Sequence, residues 1–181
     1  MDDLEDPEKA LNLALQRLNL DYVDVYIYHW PLPLCEEGKI VKMFPLHKTW
    51  EKLENCVKKN LTKSLGISNF NVQLIMDLLS YCEIKPILLQ VELHPIFQQP
   101  KLREFCERFD LRIMAYNPLL RGNSSQLHED YEEYNLFNND VFINLAKKYN
   151  RTIPQIILNW HLKNGILAIP KSSSYDHQLE N

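Results

Sequence analysis

Helix-type and strand-type patterns alternate along almost the whole chain, and this alternation limits the fold more than any other feature. The apolar spacing predicts helices over residues 7–19, 50–57, 74–79, 100–109, 138–150 and 153–163. Between them, apolar runs predict strands over residues 22–29, 65–68, 87–92, 111–117 and 166–171. Strands that are joined through helices form right-handed crossovers and lie parallel. Because the runs are continuous rather than alternating, we expect a parallel α/β sheet that is covered on both faces.

Two of the predicted helices carry capping signals at their starts. Asp6 is an N-cap residue followed by Pro7 at the first helical position. Thr152 and Gln155 have the spacing of a capping box, with Pro154 in the first turn. The helix that begins at Pro100 is predicted to carry Leu102, Phe105, Cys106 and Phe109 on one face.

The nucleotide-binding motifs of other α/β folds are missing from the sequence. No G-x-G-x-x-G follows a strand, and the whole chain has only 4 glycines, which disfavours a doubly wound dinucleotide fold. The absence of G-K-[ST] excludes a P-loop. A (β/α) barrel remains, and such barrels carry their sites at the C-terminal ends of the strands.

Composition argues against nucleic acid and membranes as partners. The net charge is −4, whereas a nucleic-acid surface must be basic. Lys58, Lys59 and Lys63 cluster, but we interpret them as the solvated end of a helix rather than as a phosphate site. No stretch approaches the ~20 apolar residues of a membrane span.

The cysteines and the first residues predict a cytoplasmic location. The acidic start, residues 1–6, does not resemble a signal peptide. The 4 cysteines (Cys35, Cys56, Cys82 and Cys106) form no C-x-x-C pair, so we expect reduced thiols and no metal site.

Every predicted strand ends in polar side chains. These are His29, Ser68, Asn69, Gln90, Glu92, Tyr116, Asn117, Lys171 and Ser172. An amide pair can hold a planar carboxamide, an aromatic face can stack on a flat ring, and a lysine beside a serine suits a phosphate. A histidine can donate a hydrogen bond to a carbonyl oxygen. As a set, these residues fit a nicotinamide cofactor and a carbonyl substrate.

Each of these residues also has an ordinary structural interpretation. His29 could be a core histidine, and Ser68 with Asn69 could cap the helix that starts near Asn71. Tyr116 could be an aromatic residue at the barrel rim, and Lys171 a solvated loop lysine. The convergence of five strand ends favours a ligand site over these separate alternatives.

Five stretches carry a family resemblance: LNLDYVDVYIYHWP (18–31), KSLGISNFN (63–71), KPILLQVELHP (85–95), LRIMAYNPL (111–119) and AIPKS (168–172). Over nearly its whole length the chain resembles the aldo-keto reductases. The resemblance implies a (β/α)8 TIM barrel that uses NADP(H), bound in an extended form. It also implies reduction of aldehydes and ketones to alcohols by hydride transfer, with a small carbonyl compound as the partner.

The resemblance assigns roles to individual residues. His29 is implied as the catalytic histidine and Trp30 as a wall of the substrate pocket. Ser68, Asn69 and Gln90 would contact the nicotinamide carboxamide, and Tyr116 would stack on its ring. The remaining implied cofactor contacts are Asn117, Leu119, Lys171, Ser172, His177, Glu180 and Asn181.

Two positions depart from the family pattern. Asn117 replaces the usual serine after the stacking tyrosine. His177 falls where the family has an arginine in its last helix, with Glu180 and Asn181 on the adenine side. Since imidazole is a poor substitute for a bidentate guanidinium, the preference for NADPH over NADH is left open.

The resemblance covers about five of the eight βα units of such a barrel. We therefore expect residues 1–181 to form one domain without the first three strands and the C-terminal tail. The resemblance places the family's proton-donating tyrosine, its lysine and its aspartate on those strands. We therefore expect the 181-residue polypeptide alone to lack reductase activity. The alternatives are an inactive nucleotide-binding or regulatory module and a non-functional fragment; the full-length form is expected to be a monomer.

The substrate class is only loosely limited by the sequence. The resemblance implies that three loops determine the substrate, of which the chain has the loop 32–45 and part of the loop around 121–137 but not the C-terminal one. The apolar Phe44, Trp30 and Leu120 predict an apolar pocket, which leaves sugars, aromatic aldehydes and steroids open as substrates.

Overall fold

The computed structural model describes residues 5–31, 44–120 and 135–181. Contacts divide the chain into two compact units. Unit 1 comprises Met1–Gln90 and Glu104–Leu111, and unit 2 comprises Val91–Arg103 and Arg112–Asn181. Most of each predicted substrate loop lies outside the described residues. Cys35 and the first four residues lie entirely outside them.

Unit 1 contains helices that alternate with parallel strands. In chain order these are α1 (Pro7–Leu18), β1 (Val23–Tyr28), α2 (Leu46–Lys58), β2 (Thr62–Ser68), α3 (Val72–Tyr81) and the first part of β3 (Leu88–Glu92). Strand β1 pairs with β2 from Val23↔Thr62 to Tyr28↔Ile67. Strand β2 pairs with β3 from Gly66↔Leu88 to Ser68↔Gln90. The predicted parallel arrangement is confirmed.

Unit 2 continues the alternation. Strand β3 is followed by α4 (Pro100–Arg108), whose residues from Glu104 onward belong to unit 1. After it come β4 (Arg112–Tyr116), a 3₁₀ helix (Leu136–Asn138), α5 (Asp140–Tyr149), α6 (Ile153–Lys163), β5 (Leu167–Ala168) and α7 (Tyr175–Glu180). Strands β4 and β5 pair in parallel at Met114↔Leu167 and Ala115↔Ala168. The strand order of the sheet follows the chain, β1-β2-β3-β4-β5.

Both predicted capping signals are confirmed. The Asp6 side chain accepts a hydrogen bond from the Lys9 backbone, and Thr152 and Gln155 form a complete capping box. The suggestion that Ser68 and Asn69 cap α3 is wrong. Asn71 is the N-cap, since its side-chain oxygen accepts from the Leu74 backbone.

Strand β1 is less buried than its sequence suggests. Only Tyr28 is buried, at 4% exposure, while Val25 and Ile27 are half-buried. The sheet order places one strand, β2, beside β1, so the other edge of β1 has no strand neighbour among the described residues. The apolar run of β1 therefore predicted more burial than this strand has.

Strand β5 is shorter than the predicted 166–171. It pairs over two residues, and one further hydrogen bond joins the Ile169 backbone N–H to the Ala115 carbonyl oxygen. Pro170 has no backbone N–H, so it cannot continue the ladder. The residues that follow are free to form the loop that carries Lys171.

The buried face of α4 is narrower than its predicted apolar face. Of the four residues expected on that face, only Cys106 is buried within the helix. Phe109 lies beyond the helix end and is 42% exposed, and its ring contacts that of Phe105 with centroids 4.7 Å apart. The apolar period alone could not show that the helix stops at Arg108.

A buried carboxylate in unit 1 was not anticipated. Glu54, on the inner face of α2, is 4% exposed. Its Oε1 accepts hydrogen bonds from the backbone N–H groups of Glu83 at 2.8 Å and Ile84 at 2.9 Å. Nearby, the Trp50 indole donates to the Ile84 carbonyl oxygen at 3.1 Å. These bonds hold the segment after α3 against α2.

The lysine cluster is a solvated surface, as predicted, but Lys63 lies in β2 and not at the end of the helix. Lys58, Lys59 and Lys63 pair with Glu83, Glu8 and Asp24 at 2.8, 2.7 and 2.7 Å. Each lysine side chain is more than half exposed. In the described part of the chain, no helix is both long and apolar enough to cross a membrane.

Candidate functional site

His29 lies directly after β1 with its side chain exposed, which rules out the interpretation as a core histidine. Trp30 is 44% exposed, and the two ring centroids are 6.1 Å apart with a 40° angle between the planes. Strand β1, whose last residue Tyr28 is buried, thus ends in an imidazole and an indole that are both accessible to a ligand. The imidazole can donate a hydrogen bond, and the indole can form an apolar wall.

Asn69 links three strand ends of unit 1. Its Nδ2 donates to the His29 carbonyl oxygen at 3.0 Å and to Ser68 Oγ at 3.1 Å. Its backbone N–H donates to the Gln90 carbonyl oxygen at 3.0 Å. The residue has a φ of 61°, a left-handed conformation that asparagine tolerates better than most side chains. Asparagine at this position therefore fixes the local backbone as well as offering polar atoms.

The three residues predicted to contact a carboxamide lie together. Ser68, the last residue of β2, is the register partner of Gln90 in the middle of β3, and Asn69 follows Ser68. Ser68 is fully buried, and Asn69 and Gln90 are half-buried. The strand-end rule therefore brings hydroxyl and amide groups to one edge of unit 1.

In unit 2, Tyr116 and Asn117 meet Glu92 from the end of β3. The Asn117 Nδ2 donates to the Glu92 Oε1 at 2.5 Å, and Asn117 has a φ of 52°. Burial, followed by the negative charge of Glu92, raises the pKa of Tyr116 above its ordinary value; a hydrogen bond with the Glu92 backbone lowers it by less. The sequence places Glu92 at a strand end but predicts no role for it.

A cleft of about 860 Å³ lies within unit 2. It is lined by most of the cofactor residues that the resemblance implies for this unit, namely Asn117, Leu119, Lys171, Ser172, His177, Glu180 and Asn181. Its apolar walls are Pro118, Phe137, Pro154, Ile169 and Pro170. The volume is in the range of small-molecule and cofactor sites.

Hydrogen bonds fix the loop and the short helix that form the polar wall of the cleft. Ser172 Oγ accepts from the Ser174 backbone N–H at 3.0 Å, and Gln178 Nε2 donates to the Ser172 carbonyl oxygen at 2.8 Å. Gln155 of α6 donates to the Glu180 carbonyl oxygen at 3.2 Å. Lys171 and His177 are exposed on this wall, so an ammonium group and an imidazole can face an anion in the cleft.

The walls of the cleft contain residues that strand-end reasoning missed. Phe137 comes from the 3₁₀ helix and Pro154 from the first turn of α6. Leu120, expected in a substrate pocket, is instead 7% exposed and packs with Leu136 and Ile157 in a core cluster. The only sequence signal for Pro154 was its place in the capping box, which indicates a helix start and not a site.

Two buried histidines of unit 2 were also missed. His94 is 4% exposed; burial lowers its pKa, and the nearby Glu92 opposes this shift only in part. His94 Nδ1 accepts from the Phe97 backbone N–H at 3.2 Å. His161, in α6, is fully buried. Among the described residues, no group of three or more His, Cys, Asp or Glu side chains is placed to hold a metal ion.

Comparison with known proteins gives one family. The family model described as "Aldo/keto reductase family" matches residues 4–181. The chain is 34% identical to "Aldose reductase C" of Dictyostelium discoideum, with 93% of this chain and 54% of that protein covered. It is 38% identical to human "Aldo-keto reductase family 1 member A1", with 98% and 57% covered. The chain therefore spans about half the length of the curated relatives it matches.

Solved structures confirm the predicted fold class. A silkworm (Bombyx mori) aldo-keto reductase complexed with NADPH matches with a TM-score of 0.86 at 31% identity, covering 98% of this chain and 54% of that one. A second silkworm aldo-keto reductase, in complex with NADP, matches with a TM-score of 0.85 at 28% identity, covering 96% and 55%.

Proposed function

The chain belongs to the aldo/keto reductase family, and on that premise we propose that it binds NADP(H) and serves the reduction of aldehydes and ketones to alcohols. Because the chain spans about half the length of its relatives, reduction is proposed for the whole protein. The observation that carries the proposal is the cleft of unit 2, where seven residues implied by the resemblance line one volume of about 860 Å³.

The cleft suits the phosphate-bearing end of the cofactor. Lys171 offers a point charge and Ser172 a hydroxyl group, which together suit a phosphate monoester. The apolar walls, among them Pro154 and Phe137, can cover a flat base. The imidazole of His177 binds a phosphate more weakly than the guanidinium group of an arginine would. We therefore propose a smaller preference for NADPH over NADH than an arginine at this position would give.

Each unit by itself offers groups that suit part of a nicotinamide. In unit 1, Ser68, Asn69 and Gln90 provide hydroxyl and amide groups at neighbouring strand ends, which suits a carboxamide. In unit 2, the Tyr116 ring provides a stacking face. When bound, the reduced cofactor supplies the hydride.

His29 is proposed as the catalytic histidine. Its exposed imidazole, at the end of β1, can donate a hydrogen bond to the oxygen of a substrate carbonyl and so draw charge towards that oxygen. Trp30 beside it can exclude water from the carbonyl carbon. The substrate is proposed to be a small carbonyl compound with an apolar part.

A second candidate function is cofactor binding without turnover. It is supported by the same cleft, since the cleft contains binding groups but not His29. The two candidates differ in a single measurement, the fate of bound NADPH after an aldehyde is added. The cytoplasmic location and the monomeric state of the full-length form stay predictions.

The test is a titration of the full chain with NADPH, followed by cofactor fluorescence, with an aldehyde added afterwards. Lys171→Ala should weaken NADPH binding about tenfold and leave NADH binding within about twofold, because one charged hydrogen bond to phosphate is lost. Lys147→Ala, which changes an exposed lysine of α5, is the matched control. Absence of NADPH binding to the unmodified chain would contradict the proposal, and binding without oxidation would favour the second candidate.

A further inference from the structure

Glu92 lies beside Tyr116, which is proposed to stack on the cofactor ring, and beside Asn117, which lines the cleft of unit 2. Its Oε1 accepts the hydrogen bond from Asn117 Nδ2, and its backbone is hydrogen-bonded with the Tyr116 hydroxyl group. Gln99 Nε2 donates to the Glu92 carbonyl oxygen at 2.7 Å and so fixes the backbone from the other side. Glu92 therefore has a defined position beside Tyr116 and Asn117.

The groups around the Glu92 carboxylate do not neutralise it at pH 7. His94 Nε2 lies 3.8 Å from Oε1, beyond hydrogen-bond distance. Because burial lowers the pKa of His94 from its ordinary value of 6.5, that imidazole is neutral at pH 7. Tyr116 and Asn117 contribute neutral hydrogen-bonding groups. The carboxylate is 37% exposed, so its field is weakened by water but not removed.

This charge acts on one redox form of the cofactor. The nicotinamide ring is positively charged when oxidised and neutral when reduced, whereas the phosphates, riboses and adenine are the same in both forms. A carboxylate beside the stacking tyrosine attracts the charged ring and has little effect on the neutral one. We infer that Glu92 is a specificity-determining residue that raises the affinity for the oxidised cofactor relative to the reduced one. This inference rests on the proposed function.

The decisive variant is Glu92→Gln, because glutamine keeps an acceptor oxygen for Asn117 and removes only the charge. The dissociation constants of NADP⁺ and NADPH are measured for the full chain at pH 7 by calorimetry. We expect the ratio Kd(NADP⁺)/Kd(NADPH) to rise about three- to tenfold. Glu92→Asp, which keeps the charge, and Glu51→Gln, which removes an exposed surface charge, should leave the ratio within about twofold of the unmodified value.

The ratio separates an electrostatic role from a structural one. If Glu92→Gln weakens both cofactors equally, or changes neither, the inference is overturned. Asn117→Ala keeps the carboxylate, so it should preserve the ratio even where both affinities fall; a shifted ratio there would also overturn the inference. Should the glutamine variant fail to fold, as its melting curve would show, Glu92→Ser removes the same charge and must raise the ratio. Failure of the unmodified chain to bind either cofactor would overturn the proposed function itself.

Discussion

The buried imidazole of His161 lies 3.1 Å from the backbone carbonyl oxygen of Leu93, measured from Nε2. Its Nδ1 lies 2.9 Å from the carbonyl oxygen of Ile157, one turn earlier in α6. Both neighbours are acceptors, and a neutral imidazole has only one N–H. The ring therefore satisfies one carbonyl group when neutral and both when protonated. Whenever Nε2 carries a proton, the ring links α6 to the residue that follows Glu92.

Replacing His161 should destabilise the chain. His161→Leu removes the hydrogen bonds and leaves the Leu93 carbonyl oxygen buried without this donor, so we expect a loss of about 1–3 kcal/mol in the free energy of unfolding. His161→Gln keeps a donor and should lose less. Asn159→Ala, on the exposed face of the same helix, is the control and should change stability by no more than about 0.5 kcal/mol. Urea denaturation measures all three, and equal effects of the leucine and alanine variants would contradict the role of these bonds.

Leu120 combines good packing with a strained backbone. It is 7% exposed in a cluster with Leu136 and Ile157, yet its φ is 49°, a left-handed value that is unfavourable for a non-glycine residue. Leu120→Ala should cost about 2–4 kcal/mol through lost packing. Leu120→Gly loses the same packing but relieves the strain. Its free energy of unfolding should therefore equal that of the alanine variant or exceed it by up to about 1 kcal/mol.

The comparison of these two variants has its own control in α6. Ile157 lies in a helix, where glycine is normally worse than alanine by about 1 kcal/mol. Ile157→Gly should therefore be less stable than Ile157→Ala, the reverse of the order at position 120. The same order at both positions would show that the backbone at Leu120 stores no strain.

Features set by local sequence could be predicted well. The capping box of α6 needs only Thr152 and Gln155 at a fixed spacing, and the parallel order of the strands follows from the alternation of the patterns. The gathering of Ser68, Asn69 and Gln90 at one edge follows from the rule that parallel strands end on the same side. These predictions required no knowledge of which side chains meet.

Features that depend on tertiary contacts could not be predicted. Glu54 reads in the sequence as a surface residue of α2, and its burial follows from two N–H groups that arrive about 30 positions later. The apolar cleft wall formed by Phe137 and Pro154 belongs to helix starts, which the strand-end rule does not consider. The burial of His161 depends on Leu93, which is far away in sequence. Periodicity describes one element at a time, so it does not contain these pairings.

The loss of unfolding free energy at acidic pH should depend on His94. Burial lowers its pKa below the ordinary 6.5, so below that pH the unfolded chain binds a proton more readily than the folded chain does. Stability should then fall as the pH drops from 6.5 towards the folded-state pKa. His94→Asn keeps an acceptor for the Phe97 backbone N–H and removes the titrating group, so the difference in unfolding free energy between pH 7 and pH 5 should shrink. His47→Asn, at an exposed position, should leave that difference unchanged; an equal slope in His94→Asn would contradict the assignment.

His177 offers a test of cofactor choice at the cleft of unit 2. His177→Arg would give that wall a permanent, bidentate cation beside Lys171, which suits the phosphate that distinguishes NADPH from NADH. We expect the Kd for NADPH to fall about tenfold, because one charged hydrogen-bond pair is added, while the Kd for NADH stays within about twofold. The measurement is a parallel fluorescence titration of both cofactors with the full chain. His47→Arg adds the same charge at an exposed position outside the cleft and should change neither Kd. If His177→Arg tightened both cofactors equally, His177 would lie against a group that the two cofactors share, and the phosphate would have to be assigned to a different part of the cleft.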